Sequence, residues 1–264
     1  MPLPPHAIDW MNRAEIDYLG PFVKAWAAFN AWYRHDSGEA QERAMLIYAV
    51  SNHNSRLRRR VLPLLQDGNV TADSQSLKQA ISDLQIKLDA IHFEVTRKNG
   101  GVERVSLRQV CIRPRPINVE NRTRNNHQYR VRKIAGGDIE LTVTATVSGV
   151  VRFQHVQPNY APEDVYAQAA FLALSPAQQI TLRELYDGCN PRPMVDLVQG
   201  GGPALQAGAM AFQCTQEDLL AGLVETIYTM RNALLHGEVD PDPHVLSCYE
   251  PAYRIVMQFL KSIQ

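Results

Sequence analysis

The sequence predicts a mostly α-helical protein carrying a small inserted antiparallel β-sheet, α+β overall, on three observations. Residues 71–93 place Leu77, Ile81, Leu84, Leu88 and Ile91 at alternating spacings of four and three, which gathers them on one helix face. Residues 215–237 repeat the signal with Leu219, Leu220, Leu223, Val224, Ile227 and Leu234, opened by Thr215 as a cap and closed by Gly237 with Pro241 and Pro243 beyond. Between them the period drops to two: Ile139, Leu141, Val143, Ala145 and Val147 alternate with Glu140, Thr142, Thr144, Thr146 and Ser148, behind a turn at Gly136 and Gly137.

A chain of 264 residues, 45% hydrophobic, has ample apolar surface for a packed core. Its first ten residues lack the basic-then-apolar pattern of a leader, and the longest apolar run, residues 44–50, is too short to span a bilayer. A cytoplasmic protein with no membrane association is expected. Cys111, Cys189, Cys214 and Cys248 are scattered without a Cys-x-x-Cys pair, which argues against a zinc site or disulfide framework, so no metal or cofactor is expected. Charge sums to zero but is uneven. Residues 1–160 carry 22 basic and 15 acidic side chains, and residues 161–264 carry 5 and 12. The basic part can face a polyanion, or the two parts can pack on each other or on a second copy.

Four stretches organise residues 1–96, the expected N-terminal helical part. Residues 7–35 read as a helical arm interrupted at Gly20 and Pro21, where the proline kinks or restarts the helix, with Leu19, Phe22, Val23, Trp26, Phe29 and Tyr33 as its apolar face. Residues 39–52 form a second helix. Arg56, Arg58, Arg59 and Arg60 follow, either a solvated helix face or a phosphate contact. The helix at 71–93 suits a bundle seam or a short intermolecular coiled coil.

Residues 97–158 are the expected inserted sheet. Within it, residues 108–133 hold seven arginines and one lysine against the single acid Glu120, interleaved with asparagines. Arginine forks suit phosphates and amides suit base edges, so Arg122, Arg124, Arg130, Arg132 and Lys133 are candidate RNA contacts, the alternative being a basic loop paired with the acidic part. Residues 159–264 return to helices: 163–174, then 175–186 with Ser175, Pro176 and Gln178 in capping positions, then a connection containing Gly200, Gly201 and Gly202 that reads as flexible rather than as a phosphate cradle. A last helix at 243–263, kinked at Pro251, is expected to brace the end of the helix at 215–237.

That end reads Arg231, Asn232, Ala233, Leu234, Leu235, His236. Asn232 and His236, four residues apart, share a face, so the amide can orient the imidazole. Arg231, five away, converges on the histidine only if the last turn loosens or a second chain supplies the complement. The blander reading has His236 capping the helix and Arg231 pairing with an acid. The same spacing recurs at Arg122 and His127, among loop formers without a helical stripe.

The pattern of Arg231, the polar Asn232 and His236, near the end of a helix followed by one last helix, resembles the HEPN superfamily (higher eukaryotes and prokaryotes nucleotide-binding). The resemblance covers the N-terminal helix and roughly the last fifty residues. It implies an antiparallel helical bundle, a homodimer, and a metal-independent endoribonuclease site built from paired Arg and His residues, with Arg231, His236 and Asn232 as catalytic residues. It also implies that the first helix packs beside the motif helix, which makes Asn30, Arg34 and His35 candidate supporting groups. Members are often toxins or antiviral factors held by an antitoxin or regulatory protein. Others bind nucleotides or RNA, or act as scaffolds, without catalysis, which is the alternative expectation here.

Overall fold

The computed structural model describes residues 17–96 and 102–264. It is an α+β protein of long helices and small antiparallel sheets. Two compact units compose it: one draws on the chain up to Ile112 and again from Met194, and the other is Arg113–Pro193. Among the described residues no helix is long and apolar enough to cross a membrane.

The first unit contains α1 (Leu19–Ser37), α2 (Glu42–Ser51), α3 (Arg56–Leu65), α4 (Ala72–Ile91), the hairpin β1 (Glu94–Thr96) and β2 (Val102–Arg104), the hairpin β7 (Ala204–Ala207) and β8 (Met210–Gln213), α8 (Gln216–His236), α9 (Pro243–Leu246) and α10 (Tyr249–Ile263). The α10 helix packs along α1 and α4, and α2 packs on α1 and α8. The expected α1 face is buried through Phe22, Trp26, Phe29 and Tyr33, with Phe22 edge-on to Tyr249 and Phe29 against Phe259. Leu77, Ile81, Leu84 and Leu88 are fully buried within the unit, so the α4 stripe is a bundle seam rather than a free coiled-coil edge.

Two prolines stand at helix starts, for one reason. Pro21 lies in the first turn of α1 and Pro251 in the first turn of α10, where a missing amide donor costs nothing. Each therefore starts a helix instead of kinking one. The run at 243–263 is two helices, with the break at Ser247 and Cys248. The part of the helical arm that falls on residues 7–16 lies outside the described residues.

The second unit is the meander β3 (Glu120–Arg124), β4 (His127–Lys133), β5 (Ile139–Ala145) and β6 (Val151–Gln157), with α5 (Pro162–Tyr166), α6 (Ala169–Leu172) and α7 (Pro176–Gly188). Asn125 and Asn126, both at positive φ, make the two-residue turn between β3 and β4. Tyr129, Val131, Leu141, Val143 and Phe153 bury against Phe171, Leu182, Leu185 and Tyr186. The expected capping box opens α7, with Ser175 and Gln178 bonded reciprocally. Helices at 162–188 thus pack on the sheet, and the unit runs from Arg113 to Pro193 where the sequence suggested an insert at 97–158.

The triple glycine leads into the β7–β8 hairpin rather than a flexible connection. A side chain on Gly200 would come within 2.2 Å of the Asp196 carbonyl oxygen, and one on Gly202 within 2.8 Å of the Gln213 carbonyl oxygen. Close backbone packing requires glycine there.

Candidate functional site

Thr215 accepts the Asp218 amide and starts α8. At the other end Gly237, in the left-handed conformation at φ 66, donates to Leu234 O, and the Glu238 amide donates to Ala233 O. This is a Schellman closure, and it fixes where the last turn stops. Tyr249 of α10 donates its hydroxyl to Met230 O at 3.1 Å, bracing the same end.

Arg231 points into a polar cluster between α8, α1 and α2. Its Nη1 donates to Asn232 Oδ1 at 2.7 Å and lies 3.8 Å from Glu42 Oε2, with the two charged side chains only 21% and 24% exposed. The other Glu42 oxygen accepts from the Tyr33 hydroxyl at 2.7 Å and from Asn30 Nδ2 at 3.1 Å. Burial, with the bond to Glu42, holds the Tyr33 phenol well above its usual range, so Tyr33 remains a proton-bearing donor. Arg231 Nε is buried without a hydrogen-bond partner among the described residues. Alongside, Arg43 pairs with Glu225 and sits over the Tyr228 ring, which packs on Trp26.

The His236 side chain is exposed on the final turn and, among the described residues, makes no hydrogen bond. Asn232 therefore receives Arg231 rather than orienting the imidazole. In an ideal helix residues five apart diverge by roughly 140° and residues four apart by roughly 40°. Arg231 is thus committed to Asn232 and Glu42, and the Asn232 oxygen to Arg231. Of the three supporting groups suggested by sequence, Asn30 is in the cluster, whereas Arg34 and His35 are exposed in the last turn of α1, outside this hydrogen-bond network. Glu42 was missed by sequence reasoning. An acid in the first turn of a helix is ordinary on its own, and only the tertiary packing of α2 on α8 gives it a second partner.

The basic residues of the second unit do not form one surface. Register pairs Arg122 with Tyr129 and Arg124 with His127, which sets both on the face that packs on the helices, and Arg122 salt-bridges Glu184 of α7 at 2.9 Å. Arg130 and Arg132 point from the opposite face, where Arg132 pairs with Glu140 and holds its carboxyl below the usual range. Lys133 is exposed at the end of β4. Arg122 and His127 thus sit on neighbouring strands of a hairpin, not on one helix.

Comparison with protein-family models, curated proteins and solved structures gave no match.

Proposed function

We propose that the chain is a HEPN-type endoribonuclease, cytoplasmic and metal-independent, acting as a homodimer with a composite site. One observation carries the reading: a guanidinium held by Asn232 and Glu42 lies one turn before an exposed, uncommitted His236 on the same helix end. The helical first unit, with the motif helix packed on α2 and braced by Tyr249, supports a HEPN-like bundle.

The chemistry suited to these groups is transphosphorylation. The RNA 2′-oxygen bonds to the adjacent phosphorus as the bond to the 5′-oxygen breaks, leaving a 2′,3′-cyclic phosphate and a 5′-hydroxyl. One imidazole takes the 2′ proton and a second delivers a proton to the leaving 5′-oxygen. Arg231 offsets charge on the non-bridging oxygens, as a preorganised cation does best. Each chain brings one such histidine, so acid and base together call for two chains. Leu235, 52% exposed beside His236, offers apolar contact for a second copy. A toxin or phage-defence role, restrained by a cognate antitoxin or regulatory protein, belongs to the same reading.

The test is incubation of purified protein with RNA in excess chelator, with analysis of product ends. Cyclic phosphate termini are expected. Intact RNA moves the balance to a second reading, a non-catalytic nucleotide- or RNA-binding or scaffolding protein, which the partial neutralisation of Arg231 by Glu42 favours.

A further inference from the structure

A second concentration of positive charge lies away from the α8 tip. A cavity of about 660 Å³ is lined by Arg56, Arg59 and Arg60 of α3 and by Lys261, Ser262 and Gln264 at the end of α10. Among the described residues no acidic side chain lines it. The sequence placed Arg56, Arg59 and Arg60 at spacings of three and four, which on a helix is one face, and α3 forms over that stretch. Arg58, off that face, turns the other way, to Val50 O and Glu217.

Arg56 is oriented by a bond from Nη1 to Ile263 O at 2.8 Å. Arg59, Arg60 and Lys261 have neither an ion-pair nor a side-chain hydrogen-bond partner among the described residues. Four like charges around one hollow repel each other, and the three arginines also stand in the first turns of α3, where its dipole disfavours cations. A ligand of multiple negative charge removes both penalties.

The cavity is remote from Arg231. Tyr249, at the start of α10, bonds Met230 next to Arg231, while Ile263, at its end, meets Arg56. Fourteen residues of helix separate these points by roughly 21 Å. The size suits a small molecule, since ligand cavities run from about 300 to 1,000 Å³. Among the described residues no aromatic or apolar side chain lines the cavity, so none of them offers a base a surface to stack on.

We propose that this cavity binds an oligophosphate, free or as the phosphate tail of a nucleotide, through Arg56, Arg59, Arg60 and Lys261, reading the phosphates and not the base. Guanidinium forks grip phosphate oxygens in pairs, and three of them with an ammonium match a ligand of two or three phosphates better than a single phosphate. The site does not depend on the nuclease reading.

The experiment is titration calorimetry of the full chain at about 150 mM salt with inorganic tripolyphosphate, ATP, orthophosphate and a short single-stranded RNA bearing a 5′-hydroxyl. Tripolyphosphate and ATP should bind within a few-fold of each other, and orthophosphate at least about tenfold more weakly. The R59A/R60A double variant should lose at least about tenfold in affinity for tripolyphosphate. Both side chains are exposed, and thermal melting of the variant and of the unaltered chain with and without tripolyphosphate provides a second readout. The proposal is overturned if tripolyphosphate neither binds nor raises the melting temperature of the unaltered chain, if the double variant binds as tightly as the parent, or if only the RNA binds. Preference for ATP with no response to tripolyphosphate would overturn the claim that the base goes unread.

Discussion

Arg231 donates to the side chain of its own neighbour, Asn232, at 2.7 Å, which commits the Asn232 oxygen to the guanidinium and leaves His236 without it. Adjacent residues on a helix normally diverge by about 100°, so this contact is a feature of long, bent side chains and not of the helix itself. It is also cheap to disturb, because Asn232 is half-buried.

Asn232→Ala should therefore separate positioning from folding. RNA cleavage is expected to fall about 10- to 100-fold, the scale of a mis-set transition-state cation. Stability is expected to drop by no more than about 1 kcal/mol, the scale of one hydrogen bond. Single-turnover cleavage and a urea melt on the same preparation measure both. Unchanged cleavage would mean that the bond aims nothing.

The response to alkali follows from burial. Tyr33 is held above its ordinary range by burial and by Glu42, Tyr186 is pushed up to about 12, and the buried thiols of Cys189, Cys214 and Cys248 are pushed up to about 11, 12 and 12. In the unfolded chain thiols begin to ionise near 9 and phenols near 10. Above those values the folded state holds more protons than the unfolded one, so stability declines as pH rises. Urea midpoints should be level from about pH 7 to 8.5, then fall through about pH 9 to 12. Tyr33→Phe should flatten the upper part of that fall. A midpoint constant to about pH 11 would contradict the burial of these groups.

How much of this could be read in the chain depends on the range of each interaction. The ends of α8 were legible at Thr215 and Gly237, because caps act over three or four residues. So was the alternation of β5, which the register places with Leu141 and Val143 inward. Glu42 was not legible as a partner of Arg231, since nothing local links α2 to α8. The β7–β8 hairpin escaped because Ala204–Ala207 has no β-branched or aromatic residue to mark a strand. The helix at 176–188 was found, but its apolar stripe is equally good against a sheet or a bundle, so the end of the second unit at Pro193 was not visible.

The opposed faces of the small sheet divide its arginines into two tests. Arg130→Glu with Arg132→Glu alters the face away from the helices, and Arg122→Glu with Arg124→Glu alters the other. The first pair is expected to weaken RNA binding and to flatten its log–log salt dependence by about one per lost phosphate contact. The second should leave the slope unchanged. Equal, negligible effects of both would remove the sheet from RNA recognition.

Gly200→Ala tests whether the glycine triplet is there for packing. Its new methyl meets the Asp196 carbonyl, which is backbone and cannot swing away. A loss of about 1–3 kcal/mol is expected in a denaturant melt. Tripolyphosphate affinity, measured on the same variant, should not move. Full stability with weakened phosphate binding would instead make the triplet a ligand loop.

The most direct measurement is the rate of RNA cleavage in chelator by His236→Ala beside the unaltered protein, at matched concentration and with matching urea midpoints. The His236 side chain is exposed and makes no hydrogen bond among the described residues, so its loss should leave the fold intact. We expect cleavage to fall by at least about 100-fold, the usual scale of a lost proton-transfer group. Cleavage by the variant as fast as by the parent, with the same cyclic phosphate ends, would show that the catalytic centre is not at the end of α8.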